Sequence, residues 1–212
     1  MSRMRLIIAS DTHEQHGGLK VPAGDVFIHA GDLTFRGDLR AIADFGAWIR
    51  QLPHQHKIVI AGNHDWAFER KPAGARSAIG EGTGGVAYLQ DSGVTIDGVT
   101  FWGSPWQPWF YDWAFNLQRG PQIAQKWALI PRATDVLITH GPPLNILDAI
   151  GDEHVGCADL LLRVQDIRPR VHIFGHIHEG SGVIVRDGTT YVNASICDAH
   201  YKPVNPIRVI DL

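Results

Sequence analysis

The stretch Ile58-Val59-Ile60-Ala61-Gly62-Asn63-His64-Asp65 decides how the fold is read. Small and β-branched apolar residues run straight into a glycine, and three polar side chains follow in a row. A short apolar run bounded by glycine reads as a buried strand that hands polar residues to a loop at the sheet edge. The pattern recurs in Leu6-Ile7-Ile8-Ala9-Ser10-Asp11-Thr12-His13 and in Asp25-Val26-Phe27-Ile28-His29-Ala30-Gly31-Asp32. It returns in Asp135-Val136-Leu137-Ile138-Thr139-His140-Gly141 and in Val171-His172-Ile173-Phe174-Gly175-His176-Ile177-His178. Each strand ends in Asp, Asn or His, the oxygen and imidazole ligands of divalent metals.

Composition bounds the class. A chain of 212 residues, 44% of them hydrophobic, buries a full core, and one domain spanning residues 1–212 is the expected count. The net charge is −3 and no basic run occurs, which argues against a dedicated nucleic-acid surface. Cys157 and Cys197 are the only cysteines, too few for a disulfide framework or a thiolate metal cage. Residues 1–8 are basic, but their apolar run is too short for a signal segment. No stretch approaches the ~20 apolar residues that cross a bilayer. The expectation is a soluble cytoplasmic protein with no membrane partner.

Taken in order, the chain alternates strands and helices, then turns β-rich. Asp11 and His13 follow the first strand, and on an extended segment they would project to one side. Gly31 predicts a tight bend that thrusts Asp32 forward. Asp38 is a candidate cap for a helix with Ala41, Ile42, Phe45, Trp48, Ile49 and Leu52 at helical spacing. His54 and His56 fall in the next turn and read as solvated. Residues 66–85 lose periodicity and are rich in Gly, Ala and Arg, and Gly80-Glu81-Gly82-Thr83-Gly84-Gly85 reads as a flexible loop. Short β segments follow at 86–89, 94–96 and 99–102, with a hairpin turn at Asp97-Gly98. These predict a second sheet packed on the first. Residues 104–115 are dense in aromatic rings, and two prolines keep them irregular. They read either as a wall beside a ligand or as a loop burying its rings in the core or in a dimer contact. Helices are expected at 121–130 and 157–167, and a solvated loop holding Asp148 and His154 lies between the fourth strand and the second of these. Strands at 182–186, 190–194 and 207–210, with a turn at Asp187-Gly188, would complete the second sheet.

The five strand ends read Asp-x-His, Gly-Asp, Gly-Asn-His-Asp, His-Gly-Pro and Gly-His-x-His, in that order. In this order they resemble the calcineurin-like metallophosphoesterase superfamily. The resemblance extends to Gly103-Ser104-Pro105-Trp106-Gln107-Pro108-Trp109-Phe110, to Thr139-His140-Gly141-Pro142-Pro143 and to Val192-Asn193-Ala194-Ser195-Ile196-Cys197. There it looks like the metallophosphoesterase-domain-containing subfamily of animals and bacteria. The fold this implies is an α/β, four-layer α/β/β/α sandwich. The ligands it implies are Asp11, His13 and His178 on one divalent ion, Asn63, His140 and His176 on a second, and Asp32 bridging both. Mn is the first choice for the pair, from the resemblance; Fe, Zn, Co and Ni also suit oxygen and nitrogen donors.

The chemistry implied is in-line attack of a metal-bridging hydroxide on phosphorus. Two divalent ions against two carboxylates keep the cluster cationic, so a small anionic phosphate ester is drawn in. His64 is left for the transition-state charge or the leaving oxygen, and Asp65 would orient His64 or raise its pKa. Asn63 and His64 would touch substrate, as would Trp106. A phosphodiesterase on nucleotide-type diesters, such as cyclic nucleotides, is the favoured activity. The same site would serve a phosphomonoesterase or protein phosphatase, and a non-catalytic metal- and nucleotide-binding scaffold would require a lost ligand.

Overall fold

A computed structural model describes residues 4–212; the basic start at residues 1–3 lies outside them. Parallel strands β1 (Arg5–Ala9), β2 (Val26–Ala30) and β3 (His56–Ile60) come first, followed by β4 (Val86–Tyr88). Helix α1 (Leu39–Gln51) joins β2 to β3, and the Asp38 carboxylate caps it by accepting from the backbone of Arg40 and Ala41, both at 3.0 Å. Helices α2 (Trp66–Arg70) and α3 (Pro72–Ile79) join β3 to β4.

The hairpin β5 (Ser92–Ile96) and β6 (Val99–Ser104) opens the second sheet. Its turn residues Asp97 and Gly98 both have positive φ, 48° and 81°, as a two-residue I′ turn requires. A short parallel pair, β7 (Gln107–Pro108) and β8 (Asn116–Leu117), closes the aromatic segment. Helix α4 (Pro121–Trp127), strand β9 (Val136–Thr139) and a small hairpin, β10 (Ala149–Ile150) and β11 (Glu153–His154), come next. Then follow helix α5 (Ala158–Ile167), β12 (Val171–Phe174), the hairpin β13 (Gly182–Arg186) and β14 (Thr189–Asn193), and β15 (Arg208–Asp211). The sheet orders are β15-β1-β2-β3-β4 and β13-β14-β12-β9-β6-β5.

Period-two alternation divides the strand residues between layers. On β1, Leu6 and Ile8 face the second sheet, while Ile7 and Ala9 join Ile42, Phe45 and Ile49 of α1 on the other side. Leu137 and Phe174 likewise look outward to Ile123, Trp127, Leu160 and Val164 of α4 and α5. Burial on both faces is why these strands read as unbroken apolar runs. The result is helices, sheet, sheet, helices, the four layers expected.

Several expectations need correction. Residues 207–210 do not extend the second sheet: β15 pairs antiparallel with β1, with an Arg5–Asp211 ion pair at 2.9 Å beside the pairing. Residues 86–88 also belong to the first sheet, beside β3. Alternation reports which faces are covered, not which strand lies alongside. The stretch 66–79, which shows no helical periodicity, holds two helices; Pro72 starts α3, and Gly80, at φ 79°, ends it and opens the expected glycine loop. His54 is buried, its Nε2 3.0 Å from the Pro22 carbonyl, so it is not solvated. Asp148 is buried too, accepting from Asn145 and Gly156 and lying 2.6 Å from His154.

Ile173 on β12 is fully buried between the two sheets. Ile173→Ala should therefore cost about 2–5 kcal/mol, read as a lowered midpoint in denaturant with unchanged slope.

Candidate metal centre

The C-terminal ends of parallel strands in α/β sheets are where such folds build sites. Here five of them, from β1, β2, β3, β9 and β12, deliver polar side chains to one place. The bends that achieve this are left-handed: Asp11, His13, Asp32 and His176 have φ of 53°, 42°, 55° and 67°. Asp11 and His13 are therefore not on an extended segment, as the sequence pattern suggested. Non-glycine residues in this region cost energy and cluster at working sites.

The atoms fall into three overlapping groups, each with donor atoms within 4.8 Å of one another: Asp11, His13 and His178; Asp32, His140 and His176; and His13, Asp32 and His64, which shares one member with each of the others. His178 Nε2 lies 3.4 Å from His13 Nε2 and 3.4 Å from Asp11 Oδ1. His140 Nε2 lies 2.9 Å from Asn63 Oδ1 and 3.4 Å from Asp32 Oδ2. Asp32 Oδ2 is also 3.9 Å from His13 Nε2 and from His64 Nε2, so this carboxylate stands between the groups. The turn of His176 and His178 sends them apart: the His176 ring faces His140 with centroids at 5.0 Å, and the His178 ring faces His13 at 5.4 Å.

The hydrogen bonds on the far side of each ring fix its tautomer. His13, His64, His140 and His178 direct Nδ1 at the carbonyls of Thr34, Phe35, Ala30 and Asp198, at 3.3, 2.8, 3.0 and 2.9 Å. A carbonyl only accepts, so Nδ1 carries the hydrogen in each ring and Nε2 of the neutral ring is a bare lone pair. Those lone pairs face one another, two carboxylates and an amide oxygen inside the protein. Acceptors gathered this way repel unless a cation lies among them, and imidazole backed by a backbone carbonyl is the usual arrangement of a metal ligand. The donor set fits a divalent pair.

Without metal, protons take the same role. Burial alone would lower His140, but Asp32 raises it to about 9, and Asp11 raises His178 to about 9 against the same burial. In return, against burial, His178 holds Asp11 and His140 holds Asp32 well below the ordinary carboxylate range. Burial pushes His176 down to about 3 and also lowers His13.

Asp65 does not act on His64. Its carboxylate accepts from Gly62 N at 2.9 Å, Leu33 N and Thr34 N at 3.1 Å, and Thr34 Oγ1 at 2.8 Å. It ties the β2 and β3 loops together, while burial and the nearby Asp32 raise it to about 6. The group that orients His64 is the Phe35 carbonyl. The aromatic segment divides. Trp106 is turned inward, donating from Nε1 to Asp91 at 2.8 Å under Lys126, so it is not a substrate wall. Trp113 stacks on His64 with centroids at 4.2 Å. Trp109 and Phe110 are exposed and border a cleft of about 410 Å³ that also meets Asp32, Asn63, His64 and Arg119. Sequence reasoning missed Phe35, Asp198 and Tyr201. Two act through carbonyls, which every residue carries, so no sequence signal marks them.

Over residues 4–180 the chain matches the family described as Calcineurin-like phosphoesterase. It is similar to metallophosphoesterase domain-containing protein 1 of Homo sapiens, 46% identical over 98% of this chain and 71% of that protein. UPF0046 protein K07C11.7 of Caenorhabditis elegans is 44% identical over 92% of this chain and 70% of its own. TT1561 of Thermus thermophilus has a solved structure of the same fold, with TM-score 0.60, 11% identity and coverage of 91% and 89%.

Two glycines let the carboxylates approach. A Cβ at Gly175 would strike Asp11 Oδ2 and Ser10 Oγ, and one at Gly62 would strike Asp32 Oδ1. Gly175→Ala should lower metal content at the Asp11 group first and Gly62→Ala at the Asp32 group, read by titrating each protein with Mn²⁺. Unchanged stoichiometry in both would count against the clash. A pH dependence follows as well. His140 and His178 bind protons more tightly folded than unfolded, so their stabilisation is full below about 6.5 and is lost as pH rises through about 9. The Tm of chelator-stripped protein should fall across that window, and saturating metal should flatten the slope.

Proposed function

This chain belongs to the calcineurin-like phosphoesterase family, and on that premise we propose that it is a two-metal phosphodiesterase of nucleotide-type diesters such as cyclic nucleotides. The observation that carries the reading is the set of bare imidazole nitrogens facing two carboxylates beside an aromatic-walled cleft. Asp11, His13 and His178 would hold one ion, Asn63, His140 and His176 would hold the other, and Asp32 would serve both. Mn²⁺ is the preferred pair; Fe, Zn, Co and Ni suit the same donors. When bound, the ions acidify water to make a nucleophile and polarise the phosphoryl oxygens.

The protein's own residues do the rest. His64 is held by the Phe35 carbonyl at Nδ1 and by Trp113 on its face, which leaves Nε2 toward the cleft. From Nε2 it hydrogen-bonds a phosphoryl oxygen and then supplies a proton to the leaving oxygen. Asp65 keeps the loop carrying His64 against that carrying Asp32. A diester has two substituents, and the cleft offers each a wall. Phe110 stands against His176 with centroids at 5.7 Å, and Tyr201 against His13 at 4.8 Å. Trp109 and Phe110 present ring faces on which a base stacks at ~1–3 kcal/mol, and Arg119 supplies a cation beside them.

Mn²⁺-loaded protein should cleave bis(p-nitrophenyl) phosphate faster than p-nitrophenyl phosphate, and excess chelator should abolish both rates. The opposite preference would favour a monoesterase; turnover after exhaustive metal removal would sink the two-metal reading. His64→Ala should keep both ions yet slow the reaction roughly 10²–10⁴-fold, with metal content and rate measured on the same preparation.

A further inference from the structure

Tyr201 lies outside every strand-end motif, yet its ring stands among the imidazoles of the centre. It meets His13 edge-on with centroids at 4.8 Å, His178 at 5.5 Å and His64 at 6.2 Å, and touches Phe35 at 5.6 Å. The loop that carries it is tightly built. The Asp198 carboxylate accepts from the backbone of His200 and Lys202, both at 2.9 Å, and the Tyr201 N–H donates to the Asp198 carbonyl at 2.9 Å. Gln15 donates from Nε2 to the Tyr201 carbonyl at 2.6 Å. The same loop offers the Asp198 carbonyl to His178 Nδ1. Tyr201 itself is left-handed, with φ of 58°, a conformation a bulky residue adopts only where its surroundings impose it.

The hydroxyl is what this arrangement leaves over. Asp11, Asp32 and Asp65 accept hydrogen bonds, and the oriented imidazoles are anchored at Nδ1, whereas Tyr201 is 40% exposed at the cleft and its hydroxyl has no protein partner among the described residues, so it is open to a ligand. Tyr201 borders the same cleft as Asp32, Asn63, His64 and His178. At this end the neighbouring atoms are acceptors, committed to metal or proton, so a phosphoryl oxygen arriving there needs a donor.

We propose that the Tyr201 hydroxyl donates a hydrogen bond to a non-bridging oxygen of the bound phosphate ester, on the side of the centre formed by His13 and His178. Tyr201 is thus a catalytic residue at the end of the site opposite Phe110 and His176. The proposal rests on the phosphoesterase reading above. Removing one hydrogen bond to a charged group costs roughly 10–100-fold in affinity or rate.

Tyr201→Phe deletes the oxygen and keeps the ring, so the loop and the imidazole contacts survive. With Mn²⁺-loaded protein, calorimetric titration with inorganic phosphate should show binding weakened about 10–100-fold. The kcat on bis(p-nitrophenyl) phosphate should fall by a similar factor, at unchanged metal content and unchanged circular dichroism. Phosphate affinity and kcat equal to those of the unaltered protein would overturn the proposal and leave the ring a packing element. Loss of metal in Tyr201→Phe would also overturn it, since the residue would then act through His13 or His178. Gln15→Ala, which frees the loop from the Tyr201 carbonyl and leaves the hydroxyl in place, should weaken phosphate less than Tyr201→Phe; an equal or larger loss would point to the loop and not the oxygen. Unaltered protein that binds Mn²⁺ but neither binds phosphate nor cleaves the diester would remove the phosphoesterase reading and this proposal together, an outcome distinct from failure of the Tyr201 arm alone.

Discussion

Bare nitrogen and oxygen acceptors meeting inside the protein are the constraint on which the structure depends. His13 and His178 aim Nε2 at each other across 3.4 Å, and His140 aims Nε2 at Asn63 and Asp32. An arrangement of this kind is unfavourable by itself, because buried acceptors need a donor or a cation. The scaffold tolerates it by anchoring the back of four rings on backbone carbonyls and the carboxylates on backbone N–H groups. His176 N–H donates to both oxygens of Asp11, and His64 N–H donates to Asp32. What remains unsatisfied all points to one place, and that place is where cations fit.

The two sheets make this convergence possible. β1, β2 and β3 bring Asp11, Asp32 and Asn63 from one sheet, while β9 and β12 bring His140 and His176 from the other. The layers are stitched beside the cluster by a Ser10–Ser195 bridge and by a hydrogen bond from Ser195 Oγ to Asp11 at 2.9 Å. A small relative slide of the sheets would separate the two ligand groups. The apolar layer of Leu6, Ile8, Ile138 and Ile173 between them resists that slide through close packing. Core and site are thus one mechanical unit.

The aromatic segment illustrates how one stretch serves two purposes. Trp106 and Phe115 turn inward and pack at 5.5 Å, which fixes both ends of the segment to the body of the protein. Between them Trp109, Phe110 and Tyr111 remain exposed, and Trp113 lies on His64. The rings divide between two settings: Trp106 and Phe115 turn into the body of the protein, and Trp109 and Phe110 border the cleft. Composition could not divide them, because indole and phenyl rings gain free energy from burial in a core and against a ligand alike.

The sequence alone determined the five strands that lead into the site, their order along the chain, and the polar residues at their ends. Each of those features is local: an apolar run of a few residues, a glycine, then Asp, Asn or His. It also carried the family resemblance, because the five motifs keep their order along the chain. Tertiary structure alone decided which strands are neighbours, so β15 joined β1 and β4 joined β3 against expectation. It alone separated Asp65, which fastens two loops, from His64, which faces the cleft, although the two are adjacent in the chain. And it alone brought in Phe35, Asp198 and Tyr201, whose roles depend on a carbonyl or a ring arriving from distant sequence. The physical reason is the same in each case. Side-chain type and spacing encode what a segment can offer, whereas partners are chosen by long-range packing, and a backbone carbonyl looks identical at every position until the fold directs it at an imidazole.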